Sequence, residues 1–177
     1  IDENRPYAYF DVLYECKFPS ATSIDDSGWM YLLTDNEVKQ SQQRKLDPAG
    51  VQKLGIDVQR GGRNFNVWVV RTNTTAEIVK KTRESNLIPA LEDTINIMQE
   101  YGIGPDNVFV DDTGVGGGLT DMLAMRGIIV NGIKLGDGAE KIETIDQSGK
   151  EVAKSEYLNV RAEIYAGKEG VMSWIKQ

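Results

Sequence analysis

Two aspartates each close a short apolar run: Leu54-Gly55-Ile56-Asp57 and Val108-Phe109-Val110-Asp111. Runs of this length bounded by polar turns read as buried strands. If the two strands are parallel neighbours, both carboxylates emerge at one sheet edge, where open α/β sheets bind ligands. Two carboxylates held close repel, and one keeps its proton unless a cation stands between them. A hard divalent ion such as Mg2+ or Mn2+ relieves the repulsion and prefers oxygen ligands. Two such ions, about 4 Å apart, stabilise the attacking and leaving oxygens of phosphodiester cleavage. The expected catalytic and metal-holding residues are therefore Asp57 and Asp111. Asp112 points to the opposite face if the strand is still extended there, and stands as an additional ligand or as a residue supporting one. Against this reading, a single strand-end Asp is more often a cap for the turn or helix that follows.

The rest of the composition narrows the chemistry. The chain has no histidine and one cysteine, Cys16. Ser-His and Cys-His nucleophile pairs, Cys/His zinc sites and an internal disulfide framework are thereby excluded. What remains is carboxylate, lysine, hydroxyl or metal chemistry. With 20 Lys and Arg against 27 Asp and Glu the net charge is −7, which counts against a dedicated nucleic-acid module with its basic footprint. Metals bound to the acids would offset part of that charge. Arg60, Arg63 and Lys134 lie near the expected acidic edge as candidate contacts to a DNA backbone, though solvated surface charge is the commoner role for each.

Gly114-Val115-Gly116-Gly117-Gly118 follows a strand and precedes a helix, yet it lacks the spacing and lysine of a nucleotide-binding P-loop. A turn that lets backbone pass close to a phosphate or a neighbouring element is the simpler account. Trp29, Trp68 and Trp174 read as core residues rather than base-stacking platforms.

The elements that must carry these residues follow in order. Tyr7 to Tyr14 reads as an aromatic-rich strand. Asp35 to Gln43 reads as a short helix capped by Thr34 or Asp35. Strands are expected at Leu54–Val58, Asn66–Arg71 and Thr75–Thr82, with Asn73 and Thr74 in the turn between the last two. Ile88 to Tyr101 has apolar residues at 88, 91, 95 and 98, one helical face, with Gly102 as its C-cap. A fourth strand closes at Asp111, a helix opens at Leu119, and Ile128–Ile133 is a fifth strand. The polar stretch from Gly136 to Glu156 reads as a mobile loop, and Leu158–Ala166 and Glu169–Ile175 as helical segments broken near Gly167 or Gly170. Three hairpin-linked strands followed by helix–strand alternation give an α/β fold: a ribonuclease-H-like mixed sheet flanked by helices, whose first and fourth strands are parallel neighbours. Residues 1–50 form a linker or extension and residues 51–177 the main domain. No apolar run approaches the roughly 20 residues of a membrane span. The start, Ile1 to Pro6, lacks an initiator Met and a signal pattern, so the expectation is a chain excised from something longer.

Several motifs in fixed order resemble the nuclease domain of the large terminase subunit of tailed bacteriophages. They are Gly55-Ile56-Asp57-Val58-Gln59-Arg60-Gly61-Gly62, Val110-Asp111-Asp112-Thr113-Gly114-Val115-Gly116-Gly117-Gly118, Gly132-Ile133-Lys134-Leu135-Gly136 and Tyr157-Leu158-Asn159-Val160-Arg161-Ala162-Glu163. Upstream, Val12 to Pro19 resembles the segment joining that family's ATPase to its nuclease. The resemblance implies a metal-dependent endonuclease that cuts concatemeric double-stranded DNA during genome packaging, in the cytoplasm of an infected bacterium, with metal ligands at Asp57 and Asp111. It further implies as partners the ATPase domain of the same polypeptide, the portal and the small terminase subunit. The sequence departs from the family twice. A further acidic ligand near the family's C-terminus has no counterpart after Trp174-Ile175-Lys176-Gln177, and Asn64 or Asn66 stands where some members place an Asp. The competing expectations are a resolvase- or transposase-like nuclease of the same fold, and a non-catalytic DNA- or motor-docking module.

Overall fold

In the computed structural model, the residues described are 33–59, 64–145, 151–155, 157–168 and 170–176. The chain divides into two compact units, one spanning Leu46–Asp137 and the other drawing on the residues before and after it. The first helix, α1 (Asp35–Gln43), belongs to the second of these. The strand expected at Tyr7–Tyr14, together with Trp29, Arg60 and Arg63, lies outside the described residues.

The unit Leu46–Asp137 is built on a five-stranded mixed sheet. Its strands are β1 (Lys53–Asp57), β2 (Asn66–Arg71), β3 (Ala76–Thr82), β4 (Val108–Asp111) and β5 (Asn131–Ile133), in the order β3-β2-β1-β4-β5. β1 and β2 are antiparallel, as are β2 and β3, while β4 runs parallel to both β1 and β5. The turn from β2 to β3 is fixed by Thr72, whose Oγ1 accepts from the backbone N–H of Thr74 and of Thr75.

Alternation along the strands sends one set of side chains to a hydrophobic core. Leu54, Ile56, Trp68, Val70, Val108 and Val110 are buried there. They pack against Ala90, Leu91, Ile97 and Met98 of helix α2 (Leu87–Tyr101) and Leu119 and Leu123 of helix α3 (Gly116–Met125). Burying side chains of this size is worth about 1.5–3 kcal/mol each. The buried face of α2 differs from the expected stripe. Ile88 is 57% exposed, while Thr94 is fully buried. Thr94 tolerates the core because its hydroxyl donates to the carbonyl of Ala90 and accepts from the Trp68 indole Nε1 at 2.9 Å, leaving no polar atom unmet. α2 starts behind Asn86, whose Oδ1 accepts from the backbone N–H of Ile88, and ends at Gly102 in the left-handed region at φ 63°. That conformation suits glycine.

α3 begins at Gly116, inside the glycine run rather than at Leu119 as expected. The reason is steric. A Cβ on Gly116 would overlap the backbone carbonyl oxygen of Asp111, and one on Gly118 would come within 2.9 Å of the Leu87 side chain. The glycines let α3 start directly against β4 and α2. β5 is shorter than its apolar run, and Asn131 anchors it by donating to the carbonyls of Asp106 and Val108.

In the other unit, α1 opens on a complete capping box. Thr34 Oγ1 accepts from the backbone N–H of Glu37, and the Glu37 carboxylate accepts from the backbone N–H of Thr34; two otherwise unpaired donors are satisfied reciprocally. The Thr34 backbone N–H, then its hydroxyl, hold the Glu37 carboxyl below its ordinary value. The polar stretch expected to be a loop contains a two-stranded antiparallel sheet, β6 (Ile142–Ile145) and β7 (Glu151–Lys154). Its β-branched residues, Ile142, Thr144, Ile145 and Val152, have strand propensity, but they come in four-residue pieces too short to stand out from their charged neighbours. Two short helices follow, α4 (Val160–Ala166), capped by Asn159, and α5 (Val171–Lys176), with the expected break at Gly167 to Gly170. Among the described residues no helix is long and apolar enough to cross a membrane.

Candidate metal centre

β1 and β4 pair in parallel, with Gly55 opposite Phe109 and Ile56 opposite Val110. The next residues of the two strands are Asp57 and Asp111. Their backbones therefore stand about one strand spacing apart, about 4.8 Å, and their side chains leave the same face of the sheet. That face is opposite to the one bearing Leu54, Ile56, Val108 and Val110, so core packing turns both aspartates away from the helices.

The two carboxylates differ in what holds them. Among the described residues the Asp57 carboxylate has neither hydrogen bond nor ion pair, and the residue is exposed. Its carboxyl is nevertheless raised above the ordinary carboxylate value, first by loss of water to surrounding protein and second by the negative charge of Asp111. Exposure of the residue as a whole and partial desolvation of its carboxyl are compatible, since the first averages over atoms the second does not concern. Asp111 is half-buried, and its Oδ1 accepts from the backbone N–H of Thr113 at 2.9 Å. This is the cap on the following turn that a strand-end Asp commonly provides. Thr113 Oγ1 in turn accepts from the backbone N–H of Leu135 at 3.3 Å, tying the turn after β4 to the chain leaving β5. Asp111 is thus oriented through one oxygen, and its other oxygen has no hydrogen-bond partner among the described residues.

Asp112 goes the other way. Its backbone N–H continues the β4–β5 ladder by donating to the carbonyl of Ile133, and its Oδ1 accepts from Thr120 Oγ1 at 2.8 Å. The carboxyl sits so close over Gly132 that a Cβ there would come within 2.9 Å of Oδ2. Asp112 therefore fastens α3 and β5 together on the side of β4 away from Asp57. The strand alternation separates it from the pair.

Asn66 does not fill the place of a missing acid. It is buried, its Oδ1 accepts from the backbone N–H of Gln59 at 2.8 Å, and its Nδ2 donates to the carbonyl of Glu84. The oxygen that would face a cation already holds the chain two residues beyond Asp57. This positioning role has no signature in the sequence, because nothing in an isolated Asn tells a ligand from a clamp between strand ends. Asn64 is exposed, and its backbone carbonyl accepts from Gln59 Nε2. Lys134 is exposed immediately after β5, whose Ile133 pairs with Asp111, and makes no ion pair among the described residues. Trp68 is wholly buried, as expected, and Trp174 is half-buried.

The donor set suits a hard cation: two carboxylates on one face, no thiolate or imidazole, and mutual repulsion that a divalent ion would relieve. Among the described residues no three acidic, His or Cys side chains come together, so the pair by itself offers part of a coordination sphere. The remaining positions would fall to water or to oxygens of a bound substrate, as is usual for Mg2+. No protein-family model and no curated protein matches this chain.

Proposed function

We propose that this chain is a divalent-metal-dependent endonuclease domain of the ribonuclease-H-like class, cutting double-stranded DNA as the nuclease part of a phage packaging terminase. The observation that carries the proposal is the juxtaposition of Asp57 and Asp111 on adjacent parallel strands with side chains on one face, Asp57 exposed and its carboxylate unpartnered among the described residues. The sheet order β3-β2-β1-β4-β5, with three antiparallel strands and then two parallel to the first, is the arrangement such a fold requires. The terminase assignment, with its ATPase domain, portal and small subunit as partners, rests on the ordered motifs alone.

In this reading Asp57 and Asp111 would hold Mg2+ or Mn2+, which would supply positive charge for a phosphodiester and lower the pKa of bound water. The Thr113 N–H engages one Asp111 oxygen, which leaves the other available to a cation. The exposed edge leaves room for a backbone phosphate to complete the coordination. A two-ion site would need a further carboxylate from outside the described residues.

One observation favours a non-catalytic docking module instead: Asp111 already caps its own turn, and among the described residues no third acid joins the pair. A plasmid cleavage assay in Mg2+ and in Mn2+ separates the two. Nicked or linear product that requires metal and disappears in Asp57→Ala is the expected result. Equal cleavage by the unaltered protein and by Asp57→Ala would overturn the assignment of the site.

A further inference from the structure

We infer that Lys81 and Arg83, held over the ring of Phe65, form a tract that grips the phosphate backbone of duplex DNA beside the acidic pair. The inference rests on the nuclease reading for its ligand, but its geometry is independent of it.

The register of the sheet carries the argument. Asp57 pairs with Val67, and Val67 pairs with Lys81. Paired residues share a face, so Lys81, Val67, Asp57 and Asp111 form one row across four strands. Lys81 stands two strand spacings from Asp57, about 10 Å. Its ammonium lies 4.0 Å from the centroid of the Phe65 ring, and the Arg83 guanidinium lies 4.3 Å from the same centroid. Two like charges converging on one ring would repel in the absence of an anion. The ring's π system offsets part of that repulsion, and an anion close to both cations would offset more.

A bulge delivers both cations to this face. Trp68 pairs with Lys80 but Val69 pairs with Ile78, so Val79 is an extra residue in β3. Lys80, one residue before the tract, is on the helix-covered face and is paired with Asp93 of α2. After the bulge, Lys81 and Arg83 come to the face of Asp57. Bulges beside active sites commonly re-aim side chains in this way.

Elsewhere some cations are paired and others, Lys134 among them, make no ion pair among the described residues. Lys39, Lys80, Arg126 and Lys176 each have a carboxylate partner. Lys81 and Arg83 are exposed and have none among the described residues. In a chain of net charge −7, two unneutralised cations fixed on an aromatic ring beside an acidic pair suit a polyanion that the acids also engage through metal. One DNA strand carries a phosphate about every 3.4 Å of helix axis, and each cation withdrawn from a phosphate lowers the salt slope of binding by about 0.9. An offset of about 10 Å therefore corresponds to a phosphate within about three of the scissile one.

The test is equilibrium binding of a duplex of about 30 base pairs in Ca2+, followed across salt concentrations, for the unaltered protein and four variants. Lys81→Ala/Arg83→Ala should reduce the salt slope by about 1.8, equivalent to an affinity loss on the order of 50-fold at about 0.1 M salt. Phe65→Leu, which keeps both charges but frees them, should cost about two- to five-fold. Lys81→Arg/Arg83→Lys should restore most of the affinity. Lys45→Ala/Lys141→Ala removes the same charge elsewhere and should leave the slope unchanged. Thermal midpoints measured alongside establish that each variant folds, and if the alanine double variant does not, the Phe65→Leu and charge-exchange variants decide. An unchanged slope in the alanine double variant, an equal loss in the Lys45/Lys141 control, or no duplex binding by the unaltered protein would overturn the inference. Hydrolysis of a small chromogenic phosphodiester by the unaltered protein is measured separately. Its absence counts against the nuclease reading while the binding comparison still decides the tract.

Discussion

Asp57 and Asp111 close neighbouring parallel strands with their side chains on the same face, one carboxylate unpartnered among the described residues and the other turned by the Thr113 N–H. The asymmetry makes Asp57 the more responsive of the two. Its folded carboxyl is raised above the ordinary value of 3.8, so ionising it costs the fold free energy. That cost is absent below the unfolded value and fully present once pH exceeds the raised folded value. Asp57→Asn should therefore raise the melting temperature in EDTA at neutral pH, with the gain shrinking as pH falls towards 3.8. Added Mg2+ should erase the advantage, because only the carboxylate pair gains from the ion. Calorimetry across pH, with and without Mg2+, checks both signs.

Cleavage should respond more steeply. Removing an outer residue that merely orients a metal ligand commonly costs about 10–100-fold, so removing a ligand should cost at least about 100-fold. Asp57→Asn and Asp111→Asn are each expected to fall by that much in initial rate on plasmid DNA at saturating Mn2+. A loss below about threefold in either would count against its role.

Asp112 offers the matching contrast. Its carboxyl serves Thr120 and lies over Gly132, so Asp112→Asn should keep Mn2+ affinity within about twofold, since an amide oxygen can still accept. Asp112→Ala should instead destabilise by about 1–3 kcal/mol, read by urea unfolding.

Gly116→Ala tests the close approach behind the pair. The added methyl would overlap the Asp111 carbonyl oxygen, forcing α3 or β4 to move. Overpacking of this kind costs about 1–3 kcal/mol or more, and here it should also weaken Mn2+ binding, because the displaced backbone is that of a proposed ligand. Isothermal titration beside urea unfolding measures the two effects.

Thr94→Val would leave the Trp68 indole N–H buried without its acceptor. A loss of about 1–3 kcal/mol is expected, with cleavage per folded molecule unaffected.

The positions legible from sequence are those where a local rule and tertiary packing agree. Leu54-Gly55-Ile56-Asp57 and Val108-Phe109-Val110-Asp111 announce themselves by apolar runs ending in acid, and Thr34 stands among the caps expected for α1. Gly102 marks the end of α2 for the same backbone reason that the structure shows at φ 63°. What could not be read depends on partners distant in sequence. Thr94 is buried because Trp68 supplies a donor 26 residues away. Asn66 is a clamp because Gln59 and Glu84 bracket it. That Asp112 faces away from Asp111 follows from strand alternation, but its partners Thr120 and Gly132 could not be read. The hairpin β6–β7 is hidden by charge among its β-branched residues. The tract on β3 is hidden by Val79, since strict alternation from Ile78 gives the wrong face to every later residue.

That extra residue gives the strand one place where its length can change without harm to the edge. Losing Val79 would close the bulge while Ile78 stays opposite Val69 and Lys80 opposite Trp68, so Lys81 would keep its side of the sheet. The cost would be the packing of Val79 against the core and the added local twist. A residue gained or lost between Lys81 and Arg83 meets no such slack. It would swing Arg83 towards the helices and break the paired grip on the ring, so loss of Val79 should be tolerated where a change after Lys81 is punished.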